Sequence, residues 1–178
     1  MARNQYAKDY RLIETVDERG HIHIDYEYIG VPYSFVQSPE QVRRELRLRG
    51  VLCLLGWCWF LLAMLPNSQA MRTWYVSLPF VFTALPLWQG SSAVLSLLRA
   101  PQPMERRFAD RLENRFPPAA LAMMLLPGGA TVLELVSWAA GRNRSAPDGA
   151  FALCAVLCAV CGACCFARRG RLTLHRGA

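Results

Sequence analysis

Apolar positions along this chain gather into four long runs. Residues 50–71, 73–98 and 149–167 contain no charged side chain, and residues 116–141 contain only Glu134. A helix rising about 1.5 Å per residue needs roughly 20 apolar residues to cross a hydrocarbon core of about 30 Å, and each run is long enough. Inside lipid the backbone must satisfy its own hydrogen bonds, so helices are expected near 48–66, 73–98, 117–140 and 149–167. None of the four shows the polar face that a helix of a soluble domain keeps. The first, VLCLLGWCWFLLAML, is the shortest. It closes at Pro66 and Asn67, borrows Leu46 and Leu48, and leaves the neighbouring arginines to reach back to headgroups. Pro79 and Pro86 predict a kink or tilt in the second. In the third, LPGGA at 126–130 weakens the hydrogen-bond ladder near mid-membrane and predicts a bend.

Ahead of the first span the period of the pattern drops to two. In YRLIETVDERGHIHIDYEYIG, two alternating stretches flank Asp17, Glu18, Arg19 and Gly20, residue types that suit a type I turn closed by a left-handed glycine. This predicts a β-hairpin with its loop at 18–20. Val16 then faces Ile22, Leu12 faces Tyr26 and Tyr10 faces Tyr28 on an apolar side interrupted by Glu14 opposite Ile24. The other side pairs Asp17 with His21, Thr15 with His23, Ile13 with Asp25 and Arg11 with Glu27. A lone hairpin is marginal in water, so its apolar side needs a surface to cover. VPYSF at 31–35 offers a third strand, confined to an edge by Pro32.

Ser38, Pro39 and Gln41 form a helix start that leads straight into span one. Between spans two and three, PQPMERRFADRLENRFPP carries Met104, Phe108, Leu112 and Phe116 at four-residue intervals. It reads as a short helix at the inner membrane surface, its apolar stripe in lipid or against the hairpin.

Composition agrees with this picture: 53% of residues are hydrophobic and 19% charged, unbalanced for a soluble domain. The formal net charge of +7 comes mostly from arginines beside the spans, and no basic folded face for nucleic acid is visible. Arg43, Arg44, Arg47 and Arg49 precede span one. Arg99, Arg106, Arg107, Arg111 and Arg115 lie between spans two and three, and Arg168, Arg169, Arg171 and Arg176 follow span four. The other two loops hold Arg72, Arg142 and Arg144. This bias places both termini in the cytoplasm. No apolar run precedes residue 48, so the first span itself is expected to direct insertion without a cleaved signal. Arginine-dominated usage, with Lys8 as the one lysine, suits a bacterial chain of high genomic GC content.

Candidate chemistry is sparse. Cys154, Cys158, Cys161 and Cys165 fall within a stripe roughly 60° wide on span four, with Cys164 about 80° to one side. Ala155, Ala159 and Gly162 lie beside the stripe, so close packing against another helix is the first reading. A metal or redox-sensing site needs more ligands. With span one rising from the inner side and span four ending there, Cys53 falls at the depth of Cys164 and Cys165, and Cys58 near Cys158 or Cys161. His21 and His23, on one hairpin face near Asp17 and Asp25, form a second weak candidate for a divalent metal. A disulfide enzyme is unsupported, because the outer loops carry no cysteine. Glu134 is the one acid inside a span and a candidate ion or proton site; Arg72 and Arg142 are its obvious partners.

No phosphate-cradling loop, zinc-protease motif or nucleophile elbow occurs, and no cofactor is expected. The expected fold class is an all-α integral membrane protein with four transmembrane helices, a hairpin over 1–37, a membrane domain over 38–167 and a basic tail over 168–178. The expected role is a non-catalytic accessory, regulatory or assembly subunit of the bacterial cytoplasmic membrane. Its partners would be the lipid bilayer and either another protein or further copies of itself. The alternatives are a small transporter built on Glu134 and the interrupted third helix, and a thiol-based metal handler or redox sensor.

Overall fold

The computed structural model describes residues 6–16, 22–101, 103–141 and 145–177. Four helical stretches are long and apolar enough to cross a membrane, and small sheets accompany them. The first is α1, Pro39–Met64. Ser38 Oγ accepts from the Gln41 amide, and Pro39 supplies a first-turn residue whose missing N–H costs nothing. The helix then runs unbroken through the expected first span.

The second stretch is divided. A short helix α2, Gln69–Arg72, leads to α3, Trp74–Phe82, and α4, Ala84–Leu98, which meet at Thr83. Pro79 and Pro86 lie on either side of this break, and each removes one amide from the ladder and crowds the preceding turn. The Thr83 hydroxyl donates to the Pro79 carbonyl and takes up part of the loss.

Between spans two and three, the expected separate helix is corrected. Residues Arg106–Asp110 form α5, which passes through a π-helical turn at Arg111–Arg115 into α6, Phe116–Ala139, as one helix of 34 residues. The prolines at 117 and 118 lack N–H groups, and the ladder widens just ahead of them, so that the Phe116 amide donates to the Arg111 carbonyl. The apolar stripe faces neither lipid nor hairpin. Met104, Leu112 and Phe116 are buried inside the protein. At 126–130 α6 is a continuous helix through Pro127, whose carbonyl accepts from the Thr131 hydroxyl. The last span is α7, Ala146–Ala167, capped by Ser145.

Helix α7 packs against α1 and α6, while α4 packs against α1 and α6 from the other side. Cys53, Phe60, Phe80, Met123, Phe151 and Cys158 belong to the core between them. Phe80 stacks on Phe60 at 5.1 Å and meets Phe151 edge-on at 5.0 Å. Helix α7 approaches α6 closely at Gly162, where an added Cβ would stand 2.5 Å from the backbone of Met123 and Met124. The outside of the bundle is apolar, with Leu54, Leu61, Trp74, Trp88, Val132 and Leu153 exposed.

Strands gather at one end of the bundle. The hairpin pairs β1, Tyr10–Val16, with β2, Ile22–Tyr28, antiparallel in the expected register, Tyr10 opposite Tyr28 and Val16 opposite Ile22. VPYSF does not extend this hairpin. Its strand β3, Tyr33–Phe35, pairs instead with β4, Leu174–Arg176, and on its other edge bridges Met104 through two backbone bonds of 2.9 and 2.8 Å. The residues expected as a plain basic tail therefore close a second small core. Leu172 is buried there with Val42, Leu46, Leu97, Met104 and Leu112.

Candidate functional site

The strand end of the bundle holds most of the polar chemistry. Glu45, one turn before the apolar part of α1, receives both Nε and Nη2 of Arg168 at 2.8 Å. Arg49, next along the same face, is 1% exposed. Its Nη2 donates to the Arg168 carbonyl at 2.5 Å, its Nε lies 3.6 Å from Glu45, and its guanidinium covers the Phe116 ring at 4.9 Å. This corrects the expectation that the arginines around 43–49 all reach back to headgroups, because Arg49 turns inward. A buried guanidinium is tolerated because a carboxylate, a carbonyl and an aromatic face surround it. This polar layer divides the membrane-spanning core from the small core beneath the strands.

Above it the hairpin rests on the start of α5 through three tyrosines. Tyr6 donates to Asp110 at 2.7 Å, Tyr10 donates to Glu105 at 2.5 Å, and the Tyr28 hydroxyl accepts from the Arg106 amide at 3.0 Å. The last contact satisfies an amide that the first helical turn leaves open. Tyr10 and Tyr28 meet edge-on, 5.4 Å apart. Burial, followed by donation to Glu105 and the charge of that carboxylate, pushes the Tyr10 hydroxyl up to about 12. Burial and donation to Asp110 raise Tyr6 in the same direction. Among the described residues, the hairpin's side-chain contacts with α5 lie at this base. The paired residues Leu12 and Tyr26 are 62% and 71% exposed, and Ile29 and Val36 are exposed as well.

The cysteines split according to helix angle. Cys158, Cys161 and Cys165 are buried, Cys154 is half-buried, and Cys164 is exposed. From span one Cys53 is buried and Cys58 exposed. Cys53 lies within hydrogen-bonding reach of Cys165 and Ser91, so the expected common depth of Cys53 and Cys165 is present. The candidate set Cys53, Cys58, Cys161, Cys164 and Cys165 does not converge, because Cys58 and Cys164 point away from the others. Cys158 donates to the Gly56 carbonyl at 3.6 Å. Among the described residues no group of three or more histidine, cysteine, aspartate or glutamate side chains is arranged to hold a metal. His21 lies outside the described residues, and of His23 only the backbone pairing with Thr15 is described.

Glu134 is fully buried and accepts from the Trp138 indole N–H at 2.8 Å and the Ser137 hydroxyl at 3.4 Å. Arg72, expected as its partner, donates instead to Asn67 at 2.9 Å; Arg142 lies outside the described residues. Sequence reasoning missed Asp148, which is also fully buried. Its Oδ1 accepts from the Ala70 amide at 3.1 Å and its Oδ2 from the Ser145 hydroxyl at 2.5 Å, tying α7 to α2. The spacing Ser145-x-x-Asp148 before an apolar run is a capping signature that was available to find it.

Fold and site together define a multi-pass helical membrane protein with a strand-built platform at one end. No known protein family, curated protein or solved structure matches the chain.

Proposed function

We propose that this chain is a non-catalytic accessory or assembly subunit of a bacterial cytoplasmic membrane, with both termini on the cytoplasmic side, that binds a partner protein through its hairpin. The carrying observation is the division of labour on that hairpin. Tyr6, Tyr10 and Tyr28 fasten its base to α5, while Leu12 and Tyr26 present an apolar pair to the outside. A two-stranded sheet leaves unpaired backbone on both edges, so a strand of the partner can join it and cover the apolar pair. The arginine bias supports the cytoplasmic assignment.

The test is co-purification from native membranes in mild detergent, comparing wild type with a Leu12→Glu/Tyr26→Glu variant. Wild type is expected to carry a stoichiometric partner that the variant loses while keeping its thermal transition. Recovery of the wild-type protein alone, or of the same complex with both chains, would overturn the reading.

A further inference from the structure

A polar pocket interrupts the apolar exterior between α4 and the π turn. It has a volume of about 430 Å³, and its polar lining comes from Gln89 and Ser92 of α4 and from Arg111, Asn114 and Arg115 across from them. Gln89 and Ser92 are exposed, yet Leu85, Trp88 and Leu95 around them on the same helix are exposed apolar residues. A membrane-spanning helix that presents an amide and a hydroxyl to hydrocarbon leaves them without water, which is unfavourable unless something polar meets them. Their own partners account for little of this capacity. Ser92 donates to the Gln89 backbone carbonyl at 2.9 Å, and the Gln89 side chain makes no hydrogen bond among the described residues while lining the pocket.

The charge of the pocket is one-sided. No carboxylate lines it. Of the acids on this stretch, Glu113 of the π turn does not line the pocket, and Asp110 accepts from Tyr6 and Asn114 while Arg115 stands 3.9 Å from it with most of its side chain exposed. Arg111 makes no ion pair among the described residues. The π turn that carries these groups arises from the prolines at 117 and 118, and such turns recur at binding sites. Asn114 already donates to Asp110 and Ser92 to the Gln89 carbonyl, so the two guanidiniums are the principal donors of this lining, and their geometry matches the oxygens of a phosphodiester. Leu85 and Trp88, exposed one turn before Gln89 and Ser92 on α4, supply an apolar surface for acyl chains, which a soluble anion would not use.

We propose that this pocket is a binding site for the headgroup of an anionic phospholipid, with its phosphate between Arg111 and Arg115, its glycerol region against Gln89 and Ser92, and its chains along Trp88. The proposal rests on the membrane placement of α4 and is independent of any partner on the hairpin, so either can fail while the other stands.

Full-length protein purified in a neutral detergent is mixed with equal amounts of phosphatidylglycerol and phosphatidylcholine, and bound lipid is counted by native mass spectrometry. Wild type should retain phosphatidylglycerol in excess of phosphatidylcholine. Arg111→Gln/Arg115→Gln should weaken that retention by on the order of tenfold or more, while Arg11→Gln, at an exposed position of the hairpin, should leave it unchanged. If the double variant fails to fold, Arg111→Gln alone carries the test, since it breaks no ion pair among the described residues. Equal retention of both lipids would overturn the proposal, as would retention unaffected by the double variant. Displacement of phosphatidylglycerol by millimolar inorganic phosphate alone would also overturn it, by showing a site for a free anion.

Discussion

The guanidinium of Arg168 grips the carboxylate of Glu45 with two hydrogen bonds of 2.8 Å, joining the end of the last span to the start of the first across 123 positions of sequence. Glu45 also faces Arg49, which is buried and whose Nε and Nη1 have no hydrogen-bond partner among the described residues. The two ends of this bridge are therefore unequal. Replacing Arg168 by Gln removes charge-assisted bonds on a half-exposed side chain, at about 1–2 kcal/mol. Replacing Glu45 by Gln also strips from a buried guanidinium the one carboxylate it pairs with among the described residues, and should destabilise by about 3 kcal/mol or more. Thermal unfolding in detergent of both single variants and the double variant checks the order. Equal losses would mean that Arg49 gains nothing from Glu45.

What the sequence reveals and what it hides divide along the range of the interaction. The four spans, the Ser38 cap, the Tyr10–Tyr28 register and the inward cysteine stripe all follow from spacings within one element, and each is present. Arg49 is the contrasting case. An arginine at the edge of an apolar run normally extends to headgroups, and Glu45, the Phe116 ring and the Arg168 carbonyl, the last supplied from 119 residues away, hold it inward. The β3–β4 pair is non-local in the same way, although the alternation of Leu172 and Leu174 in RLTLHR was a local hint that a strand was present. The Leu12–Tyr26 surface was legible as an apolar pair. That Tyr6, Asp9, Tyr10 and Tyr28 would dock while this pair stays open depends on Glu105, Arg106 and Asp110 far along the chain.

Gly162 separates close packing from mere smallness. A Cβ there would meet the Met123 carbonyl carbon and the Met124 nitrogen at 2.5 Å, and backbone cannot swing aside as a flexible side chain can. Gly162→Ala should push α6 from α7 and destabilise by about 1–3 kcal/mol. At Gly129, on α6, an added Cβ meets nothing within 4 Å, and Gly129→Ala should be neutral or stabilising by up to about 1 kcal/mol. Detergent melting curves of the two variants read the contrast directly; a Gly162→Ala protein as stable as wild type would contradict the close approach.

Tyr10 gives the hairpin a definite alkaline limit. Its hydroxyl is shifted upward from 10.0 to about 12, first by burial and then by donation to Glu105, so the folded state favours the protonated phenol. A raised value stabilises fully below the unfolded pKa near 10 and is lost as pH climbs through about 12. Docking of the hairpin should thus be insensitive to pH up to about 10 and weaken between 10 and 12. In a tyrosinate absorbance titration, Tyr10→Phe should remove a late-titrating component, and at neutral pH it should cost about 1 kcal/mol. A wild-type titration with every tyrosine ionising near 10 would refute the buried hydrogen bond.

The C-terminal strand makes a prediction that distinguishes one edge of β3 from the other. The Val36 amide donates to the Thr173 carbonyl at 3.1 Å, while the Tyr33 amide donates to Met104 at 2.9 Å on the opposite edge. Gln37 adds two side-chain bonds to Thr173, of 2.7 and 3.2 Å. Ending the chain after Gly170 removes the first set and leaves the second. Hydrogen exchange should then show Val36 losing protection while Tyr33 keeps most of its own, because the Met104 bridge belongs to the loop before α5 and not to the tail. Leu172→Ala should reproduce part of the global loss, about 2–4 kcal/mol, by opening a cavity among Val42, Leu46, Leu97 and Leu112. His175→Ala, at an exposed position of the same strand, should change stability by less than about 0.5 kcal/mol. If Tyr33 and Val36 lost protection together, the tail would be holding the whole strand end in place, and the Met104 bridge would be a consequence of β4 pairing.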